Sequence, residues 1–152
     1  MAWTGLRSGL ILAILLVTRV AFCQSGYPLK IKVEGMRSGS GHLAISVFPK
    51  SESKSFPGKA DKAAEQIYVP LEGKTVIEVE TRALPPGEYA VALLHDENSD
   101  KKLDTNFVGI PKEGFGFSQN PRVLVGPPRF SRAQIEHGEK VEEVAIKVRY
   151  ML

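Results

Sequence analysis

Apolar and polar residues alternate with a period of two through much of this chain, which is typical of half-buried β-strands. The segments that carry this strand pattern are residues 29–34, 43–47, 67–69, 76–80 and 143–150. One further run, residues 89–94, is almost continuously apolar, which predicts a central strand buried on both faces. The pattern therefore predicts a protein built from strands.

Turn residues separate the predicted strands and indicate their connections. Residues 38–41 (Ser-Gly-Ser-Gly) join the first two segments, which predicts a hairpin at one edge of a sheet. Residues 49–64 are polar and broken by Pro57 and Gly58, which predicts a long surface loop with one helical turn within residues 60–66. About seven short strands without strand–helix alternation predict an all-β fold, a single antiparallel β-sandwich that is immunoglobulin-like or transthyretin-like.

The first 23 residues have the pattern of a signal peptide. Arg7 supplies a positive charge, residues 10–17 form a short apolar stretch, and Ala21 and Cys23 are small residues before a cleavage point. The apolar stretch is shorter than the roughly 20 residues that span a membrane. We therefore expect export to the periplasm or the extracellular space, with no transmembrane span.

Composition and charge argue against two functional classes, thiol enzymes and nucleic-acid-binding proteins. Removal of the signal peptide leaves one domain, residues 24–152, that has no cysteine because Cys23 is the only one. A lipoprotein is the less favoured form of export, since the bulky Phe22 precedes Cys23. The domain has 18 basic and 17 acidic residues, because Arg7 and Arg19 leave with the signal peptide. The absence of a thiol and of a basic stripe argues against thiol catalysis and nucleic-acid binding.

Residues 95–106 concentrate acids and asparagines directly after the predicted central strand. Calcium takes six to eight oxygen ligands. Five residues have the spacing of a calcium loop: Asp96, Asn98, Asp100, Lys102 through its carbonyl oxygen, and Asp104.

Two positions depart from the calcium-loop pattern. Lys101 stands where the sharp turn favours Gly, at a cost on the order of 1 kcal/mol, and Phe107 stands where a bidentate Glu would complete the ligand set. Calcium is therefore one candidate cofactor, and no other is indicated.

A calcium-free turn explains the same residues. Asp and Asn side chains accept hydrogen bonds from nearby backbone and tolerate left-handed conformations, so they concentrate in turns. Lys101 and Lys102 would then pair with the acids at the surface. His95 ends the apolar run and fits a hydrogen-bonded structural histidine better than a ligand or a base. Both interpretations of the loop stay open at this point.

A candidate binding surface follows the acidic residues. Residues 107–117 contain three phenylalanines among glycines. If the rings face solvent, they form an aromatic platform suited to a sugar or to a partner protein. Alternatively, they cap the core beneath a long loop. The residues assigned to this surface are His95, Asn106, Phe107, Glu113, Phe115 and Phe117.

Several of these motifs together resemble a family of exported bacterial proteins catalogued as domain of unknown function 2141. The resemblance rests on residues 84–91 (Leu-Pro-Pro-Gly-Glu-Tyr-Ala-Val), 95–98, 103–106, 109–118 and 126–130, and it covers nearly all of the chain after the signal peptide. It implies a small exported β-sandwich and no established activity. Many members have Gly where this chain has Ser99 or Lys101, which makes the calcium pattern less complete here.

The chain contains no nucleophile elbow, no zinc-protease motif and no phosphate-binding loop. We therefore expect a non-catalytic exported module, not an enzyme, whose loops in residues 95–130 bind an unidentified protein or glycan of the cell envelope. One alternative is a structural accessory protein of the envelope with a metal-free acidic loop. Another is a hydrolase that uses carboxylates of residues 96–113, such as Asp104 and Glu113. Nothing in the sequence indicates an oligomeric state.

Overall fold

The structure, a computed structural model, describes residues 26–152, so the predicted signal peptide lies outside the described residues. These residues form two sheets with no closed barrel, which confirms the predicted all-β sandwich. The strands are β1 (Leu29–Glu34), β2 (His42–Pro49), β3 (Glu65–Pro70), β4 (Ile77–Glu80), β5 (Gly87–Asp96), β6 (Gly114–Phe117), β7 (Gln134–His137) and β8 (Glu142–Lys147). One helical turn, α1 (Phe130–Ala133), and two 3₁₀ turns, Lys50–Glu52 and Ala60–Lys62, complete the secondary structure. Within the described range, no helix is long and apolar enough to cross a membrane.

The longest strand, β5, organises the larger sheet. The smaller sheet has the order β4–β1–β8, and the larger one has the order β3–β2–β5, with β6 and β7 both paired to the free side of β5. Residues Gly87–Ala90 of β5 pair with β7, and residues Ala92–His95 pair with β6. β5 is therefore central, as its continuous apolar run predicts.

Two details of the predicted topology were wrong. β1 and β2 do not form a hairpin but lie in different sheets, and β1 pairs with β8 in parallel, whereas all other strand pairs are antiparallel. Gly35 and Gly41 have positive φ angles of 81° and 73°, and buried Met36 lies between them. This connection carries the chain from one sheet to the other. Alternation within a strand shows which face is buried, not which strand is its neighbour.

Apolar side chains cover both faces of β5. Tyr89, Val91 and Leu93 point into the core between the two sheets, where they meet β1, β2 and β8. Ala90 and Ala92 point to the opposite face, because side chains alternate along a strand. On that outer face they belong to a second cluster that also contains Phe48, Phe56, Phe115, Phe117, Phe130 and Ala133. The segments before β3 and before β7 cover this outer face.

Candidate functional site

Asp96 ends β5 as a fully buried carboxylate and begins the acidic loop, residues 96–113. Its Oδ2 accepts a hydrogen bond from the Tyr68 hydroxyl at 2.7 Å and from the Lys101 backbone N–H at 2.8 Å, and its Oδ1 accepts one from Asp100 N–H at 3.1 Å. Burial opposes ionisation of Asp96, but these hydrogen bonds and one from Ser99 N–H outweigh it and lower the pKa of the carboxyl. Desolvation and the hydrogen bond to Asp96 raise the pKa of Tyr68 to about 12.

Glu113 is the second buried carboxylate of the loop, and it joins the beginning of the loop to its middle. It lies immediately before β6, with only 4% of its surface exposed. Its Oε1 accepts a hydrogen bond from Glu97 N–H and its Oε2 accepts one from Asp104 N–H, each at 3.0 Å. Both oxygens therefore satisfy backbone donors of the loop.

The exposed part of the loop bonds to itself in the manner of Asx turns. Asn98 Oδ1 accepts a hydrogen bond from Asp100 N–H at 3.0 Å, and Asn98 Nδ2 donates to Asp104 Oδ2 at 3.0 Å. Asp100 Oδ1 accepts one from Lys102 N–H at 2.9 Å. Ser99 and Lys101 have φ angles of 64° and 65°, so both lie in the left-handed region that favours Gly.

This arrangement fits a hydrogen-bonded turn better than a calcium site. A calcium ion needs several oxygens that converge on one point and are free of competing donors. Instead, the carboxylates of Asp96, Asp100 and Asp104 accept hydrogen bonds from N–H or O–H groups. Within residues 26–152, no group of three or more His, Cys, Asp or Glu side chains is placed to hold a metal ion. Calcium binding by the five predicted ligands stays a prediction.

Arg37, in the connection between β1 and β2, fixes the loop to the rest of the domain. Its guanidinium donates to both carboxylate oxygens of Glu97, at 2.5 and 3.2 Å, and to main-chain oxygens of Lys112 and Leu152. It also lies over the Tyr150 ring, 4.4 Å from the ring centre. The hydrogen bond from Arg37 is the main reason that the pKa of Glu97 is lowered. Sequence reasoning missed this contact, because 60 residues separate the pair and no local pattern marks it.

His95 is fully buried and has partners on both ring nitrogens. Nε2 lies 2.9 Å from the Ser40 carbonyl oxygen, and Nδ1 lies 2.6 Å from the Tyr150 hydroxyl. Because a carbonyl can only accept, Nε2 donates to Ser40, and the Tyr150 hydroxyl is the partner of Nδ1. Burial raises the pKa of Tyr150 above its ordinary value. His95 therefore joins the strand end to the C-terminal segment and does not reach the surface.

The candidate aromatic platform does not form. Phe115 and Phe117 are each 8% exposed and pack in the outer-face cluster, so they cap the core. With His95 and Glu113 also buried, four of the six residues assigned to a binding surface lie in the interior. The glycines Gly114 and Gly116 lie on the other face of this strand, toward the core between the sheets. A side chain at Gly114 or Gly116 would collide with Tyr150, Val148 or Ile146, so the strand packs closely under its neighbours.

Phe107 has the opposite environment, with 99% of its surface exposed. It begins the apolar tip, residues 107–110, where Val108 and Ile110 are also exposed. Asn106 holds this tip, since its Oδ1 accepts hydrogen bonds from Val108 N–H at 3.0 Å and from Ile110 N–H at 2.9 Å. Backbone bonds between Asn106 and Ile110 and between Gly109 and Asn106 close the turn. The tip is therefore an ordered turn that presents apolar side chains to solvent.

Comparison with known proteins places the chain in a family. A family model described as an uncharacterised protein conserved in bacteria (domain of unknown function 2141) matches residues 31–145. The chain therefore belongs to this family, as the motifs in residues 84–130 predict. No curated protein and no solved structure matches the chain.

Proposed function

We propose that the protein is an exported, non-catalytic binding module whose apolar tip docks on a protein of the cell envelope. The observation that carries this proposal is the exposure of Phe107 on a hydrogen-bonded turn. The N-terminal charge and apolar pattern supports export.

The tip has the physical properties of a binding anchor. Removal of a fully exposed phenyl ring from water by a partner pocket stabilises the complex. Buried aromatic anchors contribute much of the binding free energy of protein interfaces. The turn is closed by the Asn106 side chain, so little conformational entropy is lost when it docks. A protein pocket suits Phe107, Val108 and Ile110 better than a glycan does, because the tip offers no side-chain hydrogen-bond donor to sugar hydroxyls.

The acidic loop serves in this proposal as a metal-free support for the tip. The buried carboxylates of Asp96 and Glu113 supply the acceptors that hold the loop backbone, the role that calcium would otherwise have. We expect addition of millimolar calcium or of a chelator to leave the melting temperature unchanged. A rise in melting temperature with calcium concentration would overturn this part of the proposal, because a ligand that binds only the folded state must stabilise it.

Site-specific photo-crosslinking in living bacteria tests the docking itself. A photoreactive phenylalanine analogue at position 107 should give one discrete protein adduct, identifiable by mass spectrometry. The matched control carries the analogue at Glu143, an exposed position on β8 that makes no ion pair within the described residues. If position 107 gives no adduct, or the same adducts as position 143, the tip is not a docking surface.

The hydrolase alternative has less support. A carboxylate that acts on a glycosidic bond must face the substrate with an oxygen available for proton transfer or attack. Both oxygens of Glu113 accept backbone N–H groups inside the fold, and one oxygen of Asp104 accepts from Asn98. Glu113 is therefore committed to the loop structure instead.

A further inference from the structure

A second surface lies at the opposite end of β5 from the acidic loop. It is a cleft of about 510 Å³ between the segments 50–57 and 127–134, which we call the basic cleft. Pro49 pairs with Tyr89 and Gln134 pairs with Ala90, so both segments lie near the first residues of β5. Asp96 lies seven residues further along this strand, which corresponds to about 23 Å. The cleft and the apolar tip are therefore separate surfaces.

The lining of the cleft contains three cations, Lys50, Lys54 and Arg129, and no carboxylate. Lys50 is held in place, because its Nζ lies 3.0 Å from Glu88 Oε2 and 2.9 Å from Gln134 Oε1. Glu88 offsets its charge. In contrast, the side chains of Lys54 and Arg129 are exposed and form no ion pair or hydrogen bond with any described residue. Two positive charges therefore remain available to a ligand.

The floor of the cleft is rigid and apolar. Phe56 and Phe130 meet edge to face with their ring centres 5.8 Å apart, and both belong to the outer-face cluster. Pro57, Pro127 and Pro128 form further parts of the lining, so its shape is largely set by rings that have little freedom to move. The cleft thus combines C–H surfaces with positive charge at its edge.

We propose that the basic cleft binds an acidic sugar, meaning a hexose unit that carries a carboxylate or a phosphate. Lys54 and Arg129 would contact the anionic group through charge-assisted hydrogen bonds. The hydroxyls of Ser53 and Ser131, also in the lining, offer partners to the sugar hydroxyls, and the proline rings match the apolar face of a sugar ring. The volume lies within the range of small-molecule sites. A cleft of this volume suits a discrete ligand better than a flat lipid bilayer.

Titration of ¹⁵N-labelled protein by NMR tests this proposal, with tetragalacturonic acid and maltotetraose as acidic and neutral probes of equal length. We expect saturable shifts at the Ser53, Lys54 and Ser131 amides with the acidic probe and none with the neutral one. The double variant Lys54→Gln/Arg129→Gln should weaken binding of the acidic probe by about tenfold or more, since charge-assisted contacts are lost. The control Lys74→Gln/Lys140→Gln removes the same charge from exposed positions outside the cleft and should bind as the native protein does.

Other outcomes would overturn the proposal. Equal affinity for both probes would remove the role of charge, and equal weakening in both double variants would indicate a diffuse electrostatic effect instead of a site. If inorganic phosphate binds as tightly as glucose 6-phosphate, the sugar has no part in recognition. Binding to phosphatidylglycerol vesicles without shifts from either acidic sugar would favour a membrane surface. The variant Phe107→Ala should keep its affinity for tetragalacturonic acid, so failure of tip docking and failure of sugar binding are distinguishable.

Discussion

The two ends of β5 use charge in opposite ways. At the acidic-loop end, the buried carboxylates of Asp96 and Glu113 accept hydrogen bonds from backbone and tyrosine donors and are consumed in holding the loop. At the cleft end, Lys54 and Arg129 have no partner within residues 26–152 and face solvent. The exposure of aromatic rings is reversed between the two ends. Phe107 is exposed at the loop end, whereas Phe56 and Phe130 are buried under the cleft.

This difference shows that a dense cluster of charged residues is not by itself a ligand site. The acidic loop has the denser charge in the sequence, but both oxygens of its buried carboxylates, Asp96 and Glu113, already accept hydrogen bonds inside the fold, and satisfied groups offer little to a ligand. The cleft has fewer charges, and two of them, Lys54 and Arg129, are distant in sequence and form no ion pair with any described residue. Mutations at the two ends should therefore separate effects on stability from effects on binding.

The largest expected effect on stability comes from truncation of a buried phenylalanine, Phe130, in comparison with an exposed one, Phe107. Phe130→Ala at the cleft end should lower the free energy of unfolding by about 3–5 kcal/mol, because it leaves a cavity in the outer-face cluster. Phe107→Ala at the loop end should change it by less than about 0.5 kcal/mol. Urea denaturation measures both. A large loss of stability in Phe107→Ala would mean that the tip is part of the core, contrary to its described exposure.

The next effect concerns Glu113. Glu113→Ala should lower the free energy of unfolding by about 2–4 kcal/mol, because the N–H groups of Glu97 and Asp104 lose their acceptor. Glu113→Gln keeps one carbonyl oxygen and should lose less. Glu139→Ala, at an exposed position, serves as the control and should be nearly neutral. Equal, small losses in all three variants would show that the loop does not depend on this carboxylate.

Acid should weaken the loop end through Asp96. The pKa of Asp96 in the folded state lies below its ordinary value of 3.8, so its ionised form stabilises the fold above that pH. This contribution is lost as the pH falls through the folded pKa. We expect the free energy of unfolding to decline below about pH 4. Asp96→Asn should be about 1–3 kcal/mol less stable at pH 7 and should show a shallower decline in acid.

The smallest effect tests the strain in the loop backbone. Lys101→Gly should raise the free energy of unfolding by about 0.5 kcal/mol. Gly removes the steric cost of the left-handed conformation at position 101, and this gain is larger than the stabilisation of the unfolded chain by the extra conformational entropy of Gly. Lys102→Gly, one residue further and without a positive φ angle, should instead destabilise slightly. Thermal melts of the two variants side by side measure the difference. An equal loss in both would indicate that the contact of Lys101 with the Tyr68 ring outweighs the strain.

The sequence predicts most of what is local and little of what is distant. The apolar run of β5 correctly indicated a central strand, and the spacing of the loop placed a left-handed residue at Lys101. Strand partners were missed because β1 alternates in the same way whether it pairs with β2 or with β8. The Arg37–Glu97 ion pair and the basic cleft were missed because their residues are far apart in the chain and meet only after folding.

The parallel pairing of β1 with β8 has a consequence for how the domain is produced. Leu29 is matched with Glu142, so the smaller sheet joins segments that are more than a hundred residues apart. Contacts of such long sequence separation form late, because closing a long loop costs conformational entropy before any contact stabilises it. A chain that folds from its N-terminus cannot complete this sheet until β8 is available. The topology thus leaves the smaller sheet incomplete until nearly all of the described residues are free to fold.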